Sequence, residues 1–297
     1  MLTVDPKEIK IPQLHAYLLG AVGPRPIAFA STIDKEGRPN LAPFSFFNVF
    51  SANPPIAIFS PARSGRTGVT KHTHDNLKEV AEVVINVVNY DMVQQVSLAS
   101  SPYEKGVDEF IKAGFTKLPS QKVRPFRVAE SPVQLECVVK EIIELGQEGG
   151  AGNLVVAEVV MIHISEDVLD SNGVIDQKKI DLVARMGGNW YCRAHGDALF
   201  EVEKPLTTIG IGFDQMPFDI RNSRILTANN LGQLGSVEQL PNSEEVLAYK
   251  NSGAITEAFE LYGQSKDKLR EHLHHIAQRL LSENKVAEAW KVILSAE

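Results

Sequence analysis

Cysteine is scarce: only Cys137 and Cys192 occur in 297 residues. Two thiols in so long a chain make no disulfide framework and fit a reducing compartment, with buried free thiols as the plain expectation. Long apolar runs are absent as well, since no stretch approaches the roughly 20 residues of a membrane helix. The opening MLTVDPKEIKIPQLHAYLLG breaks its short apolar runs with Pro6, Pro12, charges and His15. It therefore has neither a signal-peptide core nor a span, and a cytoplasmic protein without a membrane partner is expected. Positive charge is not in excess either, with 30 Lys and Arg against 37 Asp and Glu. Residues 1–200 carry a formal −3 and residues 201–297 a formal −4. No global basic field is available for nucleic acid, so none is expected as a partner.

Several chemical signatures are missing too. There is no GxxxxGK[ST] loop, no GxGxxG fingerprint and no GxSxG elbow. His72-x-His74-Asp75 and the pair His272 and His275 lack companion ligands at zinc-like spacing, so no metal is expected. What the chain does have is 43% hydrophobic residues, ample for one large domain or two smaller ones.

From Pro26 to about Ile164 short β-rich runs alternate with turn residues. Ile27–Ile33, the turn Asp34-Lys35-Glu36-Gly37 and Asn40-Leu41-Ala42 read as a hairpin. Ile56–Phe59, Val83–Val88, Val133–Leu145 and Leu154–Ile164 supply further strands, the last two linked by the flexible Gly146–Gly152. Such a set argues for a sheet or a barrel rather than for alternating βαβ units. Thr73 is read as the cap of a short helix running towards Ala81, with further short helices over Met92–Ser100 and Asp108–Ala113. Beyond about residue 200 the pattern changes. Residues 205–243 are rich in Gly, Asn and Pro and read as irregular. From Ser243 onward apolar residues recur at helical spacing, which predicts three amphipathic helices separated near Gly263-Gln264-Ser265 and Ser282-Glu283-Asn284.

Two stretches could carry chemistry. Ser60–Asn76, SPARSGRTGVTKHTHDN, gathers Arg63, Arg66 and Lys71 with several hydroxyls and two glycines ahead of a helix start. Charges, hydroxyl donors and free helix amides are what a phosphate needs, although a solvated basic loop is an equally available reading. Upstream, Ala42–Asn53 alternates Phe44, Phe46, Phe47 and Phe50 with Ser45, Asn48 and Ser51. This pattern suits either a slot for a flat heteroaromatic ring or a plain buried strand.

The order GPRPIAFASTIDKEGRPNLAPFSFFNVFSANPP, FSPAR, TKHTHDNL with EVVINVV, SSPYEKGVDEF and ARMGGNWY resembles the FMN-binding split-barrel flavin reductase family over roughly residues 15–195. The resemblance implies a mainly β chain: a Greek-key split β-barrel with short flanking helices over residues 1–202, followed by an α-helical extension over 203–297. It implies FMN as cofactor. Ser45, Phe46 and Asn48 would lie along the isoalloxazine, and Ser60, Arg63, Lys71 and Thr73 would hold the ribityl chain and phosphate. A homodimer is implied, with Gly187–Tyr191 of the second chain as candidates to complete the site.

The implied activity is that of an oxidoreductase passing hydride from NAD(P)H through FMN to flavin or another small acceptor. No catalytic side chain is required, because the cofactor carries the chemistry. The alternative is a flavin-binding electron carrier, sensor or oxygenase partner subunit without nicotinamide turnover. The extension has three possible tasks: to cap the flavin pocket, extend a dimer interface or bind a partner.

Overall fold

The computed structural model describes residues 1–296. The chain divides into two compact units, Met1–Phe200 and Glu201–Glu297. In the first, the elements run α1 (Ile11–Ala21), β1 (Ala28–Ile33), β2 (Pro39–Phe44), β3 (Phe47–Ala52), β4 (Pro55–Phe59), α2 (His72–Glu79), β5 (Glu82–Val87), α3 (Val93–Ala99) and α4 (Glu109–Ala113). Then follow the short β6 (Lys117–Leu118) and β7 (Arg127–Val128), the long β8 (Val133–Glu144) and β9 (Asn153–Ile164), and β10 (Val183–Arg185) with β11 (Tyr191–Arg193).

Seven strands form one antiparallel sheet in the order β2-β1-β5-β8-β9-β4-β3. The hairpin expected at Asp34–Gly37 is present. The Asp34 carboxylate accepts the amides of Glu36 and Arg38 and the Arg38 Nε at 2.6 Å, while Gly37 takes a positive φ of 81°. Register shifts in β8 and β9, between Glu136 and Cys137 and between Val139 and Glu141, mark bulges that bend this central pair. Ala28, Ala30, Phe59, Val83, Ile85 and Val155 pack inside the bend, and Phe29, Leu41, Phe110 and Phe115 fill a second cluster beneath α3 and α4.

Two expectations are corrected here. The unit is a mixed α/β fold rather than mainly β, and its sheet does not close into a barrel. β2 and β3 remain its two edges although only Ser45 and Phe46 separate them. β2 presents an outer edge poor in donors. Its Asn40, Ala42 and Phe44 face β1, so the outer edge belongs to Pro39, Leu41 and Pro43. Two of these have no N–H to give, and the third donates its N–H to the Glu109 carboxylate at 3.0 Å. No donor is left on that edge for β3.

α1 is a further departure, since Pro12 reads as an interruption in sequence. Proline is tolerated in the first turn of a helix, where its missing N–H costs nothing. The Arg25 guanidinium receives the end of α1, donating to the carbonyls of Leu19, Val22 and Met186.

The second unit holds α5 (Phe218–Arg221), α6 (Ala228–Leu234), α7 (Ser243–Asn251), α8 (Thr256–Tyr262), α9 (Lys266–Ser282) and α10 (Val286–Leu294). Four helices follow Ser243, not three, because the first expected segment breaks at Ser252–Ile255, where Gly253 adopts a φ of 85°. The stretch read as irregular contains α5 and α6, the latter started by a reciprocal Thr227 and Asn230 capping box. α9 ends as expected near Asn284, whose positive φ lets Asn284 and Lys285 return hydrogen bonds to Leu281 and Leu280. Trp290 is the centre of the core, its Nε1 donating to the Leu234 carbonyl at 3.0 Å. Among the described residues no helix is long and apolar enough to cross a membrane.

Candidate functional site

Beside β2 and its link to β3 lies a cavity of about 450 Å³. Three walls surround it: Asn40–Phe46 of β2 and the link to β3, the loop from Ser60 to Thr73, and Ala99–Tyr103 with Glu109.

Of the residues singled out in sequence, Ser45, Phe46, Ser60, Lys71 and Thr73 all line this one space. Phe46 is 42% exposed and meets the His15 ring edge-on at 6.4 Å, while Phe44 packs back onto Phe59 at 5.6 Å. The link thus presents one aromatic face outward and anchors itself with another. Ser60 is buried, its N–H donating to the Phe46 carbonyl at 2.9 Å and its Oγ accepting the Asn153 amide at 3.0 Å. A Cβ at Gly152 would sit 3.0 Å from that oxygen, a close contact that glycine avoids. These bonds clamp the start of the loop to the β2–β3 link and to β9.

At the other end, Lys71 occupies the position ahead of α2 and caps it with no side-chain hydrogen bond. The first-turn amides are left for another acceptor, and Thr70, Lys71 and His72 stand around them. Thr73 is not the cap expected from sequence. It is the second residue of α2, fully buried, with its Oγ1 accepting from Asn40 Nδ2 at 2.9 Å.

Arg63 and Asn48 fall outside the lining. Arg63 is turned towards the β8–β9 turn, donating to Gly68 O at 3.3 Å, Gln147 Oε1 at 2.9 Å and Glu144 Oε2 at 3.4 Å. Glu144 is the hub of that contact. Its bonds to Lys78 and then to Gln147 hold its carboxyl at about 2, and His74 approaches it at 3.5 Å. Asn48 lies exposed on β3, its Oδ1 accepting the Val49 amide at 2.8 Å. None of Gly187–Tyr191 lines the cavity within this chain; Gly187 packs closely on Gly20 of α1.

The third wall was missed in sequence. SSPYEKGVDEF contributes to the resemblance, yet nothing in its pattern announces that Glu109 is buried against β2. Burial pushes the Glu109 carboxyl up and the neighbouring Asp108 adds to that, while the Leu41 amide works in the opposite direction. Cys137 is buried, which drives its thiol up to about 12, and both cysteines are free. Among the described residues no three His, Cys, Asp or Glu side chains are grouped to share a metal ion.

Comparison with known proteins places this geometry in a family. The flavin reductase like domain matches residues 21–181. The uncharacterised protein BH2278 of Halalkalibacterium halodurans is 35% identical over 206 residues, covering 69% of this chain and 97% of the relative. Among solved structures, nitrilotriacetate monooxygenase component B from Bacillus cereus aligns with a TM-score of 0.63 and 29% identity, over 68% of this chain and 98% of that one. The 2-nitrobenzoate 2-nitroreductase NbaA of Pseudomonas fluorescens aligns with a TM-score of 0.60 and 25% identity, over 70% and 100%. The chain therefore belongs to the flavin reductase like domain family, within the flavin reductase and oxidoreductase superfamily.

Proposed function

We propose that the first unit binds FMN in this cavity and that the protein is an FMN-dependent oxidoreductase, taking reducing equivalents from NADH or NADPH and delivering them to flavin or another small acceptor. The observation that carries this reading is the cavity itself. An outward aromatic face with small polar neighbours lies at one side, and Lys71, hydroxyls and uncapped helix amides lie at the other. The donor set fits a phosphate, because it combines an ammonium, hydroxyl donors and the positive end of a helix. The residues of the link between β2 and β3 fit a flat ring, with apolar surface for stacking and polar groups for its edge.

In this reading Ser45 and Phe46 lie along the ring, Ser60 faces the ribityl chain, and Lys71 and Thr73 hold the phosphate. Arg63 acts from behind the loop through Glu144 and Gln147. Asn48 is a contact only for a ring that extends past Phe46 onto β3. Bound FMN supplies the capacity to accept hydride from a nicotinamide and to pass electrons onward. The chain's own part is to orient the cofactor and to offset its negative charge with Lys71 and the α2 amides. The proposed assembly is a homodimer in which Gly187–Tyr191 of a second copy completes the site. Exposed Val49 and Phe50 on β3, and an α1 without a buried residue, support it. Two free cysteines support a cytoplasmic location.

The test is an anaerobic absorbance titration of the FMN-reconstituted protein with NADH and then NADPH, followed at the flavin band near ~450 nm. Rapid bleaching by either nucleotide is the expected result. The similarity to component B of a monooxygenase favours, as second reading, a subunit that hands electrons to an oxygenase. Bound flavin that neither nucleotide reduces would move the reading to a carrier or sensor. A protein that takes up no FMN would overturn both.

A further inference from the structure

One buried ionisable group in the cavity has no task in the function above. Glu109, 5% exposed, contributes to the third wall of the same 450 Å³ space that holds Lys71 and the first turn of α2. Its place is tightly determined. Oε2 accepts the Leu41 N–H at 3.0 Å, while the side chain of the preceding residue, Asn40, donates to Thr73 at 2.9 Å. Consecutive positions of β2 therefore hold the carboxylate and the start of α2.

We infer that Glu109 is a specificity-determining residue for the anionic end of the ligand: its carboxylate opposes a phosphate in the cavity, and binding of FMN is coupled to its uptake of a proton. The inference rests on the FMN reading. Glu109 is buried in the wall of this cavity, and salt screens buried charges much less than exposed ones, so a second negative charge in the same space repels it. An ionised Glu109 opposes a phosphate, and a bound phosphate opposes ionisation of Glu109 to the same extent.

The surroundings contain few charges that could perform this function in its place. β2 and α3, which pack against α4, carry no ionisable side chain. Ahead of α4 Asp108 is paired with Lys117, and on α4 Lys112 lies over the Tyr103 ring. Glu104 and Lys105 in the preceding loop are exposed. Across the cavity stand Lys71 and His72, while Asp75 accepts from Thr70 at 2.7 Å. Burial raises the carboxyl, the same direction in which a phosphate in the cavity would push it.

The experiment measures FMN and riboflavin affinity of the full chain by flavin fluorescence from about pH 6 to about pH 8.5, above the second ionisation of a phosphate monoester near 6. For the unaltered protein the FMN dissociation constant should rise with pH, approaching tenfold per unit over part of the range, while riboflavin, which lacks the phosphate, shows no such slope. Glu109→Gln keeps an oxygen to accept the Leu41 N–H and removes the charge. In that variant FMN should bind more tightly at the alkaline end and lose the slope. A measurement on the unaltered protein guards against misfolding of the variant: calorimetry at pH about 7.5 in buffers of different ionisation enthalpy should show net proton uptake with FMN and none with riboflavin. FMN binding with equal pH slopes in both proteins, or without proton uptake, overturns the inference and leaves the FMN reading standing. Failure of FMN to bind at any pH overturns the FMN reading, and the inference falls with it.

Discussion

The two units bury different things. Among the described residues the first buries fifteen polar or charged side chains, from Arg25 to Asn153, and the second only His274 and Ser295. Burying a polar group without a partner costs free energy, so polar burial is retained where partners are supplied. In the first unit those partners build turns and walls. Asp34 closes a hairpin, Asn40 holds Thr73, Ser60 ties the loop to β9, Glu109 seals the edge of β2, and Glu136 gathers the amides of Gln121, Lys122 and Val123. The second unit is assembled mainly from apolar helix faces around Trp290. The lesson is that specificity of form lies in the polar interior of the first unit and plain cohesion in the second.

Substitutions can break that contrast in order of effect. Trp290→Ala removes a fully buried ring and should cost about 3–5 kcal/mol in chemical denaturation followed by circular dichroism. A loss below about 1 kcal/mol would show the helical core to be less dependent on its central residue than its burial implies. Glu136→Ala should cost about 3 kcal/mol, since three amides and His163, bonded at 2.7 Å, lose a buried acceptor together. Changing Lys71 and Thr73 together to Ala should weaken FMN binding several-fold or more, at about 1.5–3 kcal/mol for each charge-assisted bond. Unchanged affinity in a fluorescence titration would remove the phosphate from α2. Thr227→Ala should cost only about 1 kcal/mol, the usual value of a helix cap, read from the denaturation midpoint.

Acid sharpens the same contrast. Burial alone would raise the Glu136 carboxyl, but the Gln121 and Lys122 amides and the His163 ring hold it below its usual range, and Glu144 is held at about 2. A depressed carboxyl contributes stability that is complete above the unfolded-state value and is lost as pH falls through the folded-state value. The first unit should therefore lose stability progressively below the ordinary glutamate range, down towards pH 2. Glu136→Gln should flatten part of that acid limb in a series of denaturation curves.

Local patterns were readable in the amino-acid order. Alternating apolar residues around turn residues marked β1, β2, β4, β5, β8 and β9, and helical spacing marked α9 and α10, whose boundary at Asn284 follows from a short polar stop. The loop from Ser60 to Thr73 was legible as a cluster of donors, because residues near in sequence face one cavity. Less legible were features joined over long separations. The bond between Leu41 and Glu109 spans 68 residues and that between Arg63 and Glu144 spans 81, and no periodicity announces either. Hence Glu109 was absent from the expected site, while Arg63, placed in it by resemblance, turns towards the β8–β9 turn instead. α1 was hidden because a proline in a first turn and a proline that breaks a helix look alike until the backbone is seen.

Sequence by itself determined the strands β1, β2, β4, β5, β8 and β9, the helices α9 and α10, and the cluster of donors in the loop, since these rest on neighbours within a few residues. Tertiary structure alone decided that the sheet stays open. Pro39 and Pro43 deprive the outer edge of β2 of donors, and Glu109, brought from a distant helix, takes the one that remains. That edge runs beside the cavity, and the contact that covers it joins Leu41 to Glu109, residues too far apart in the chain for any local pattern to specify.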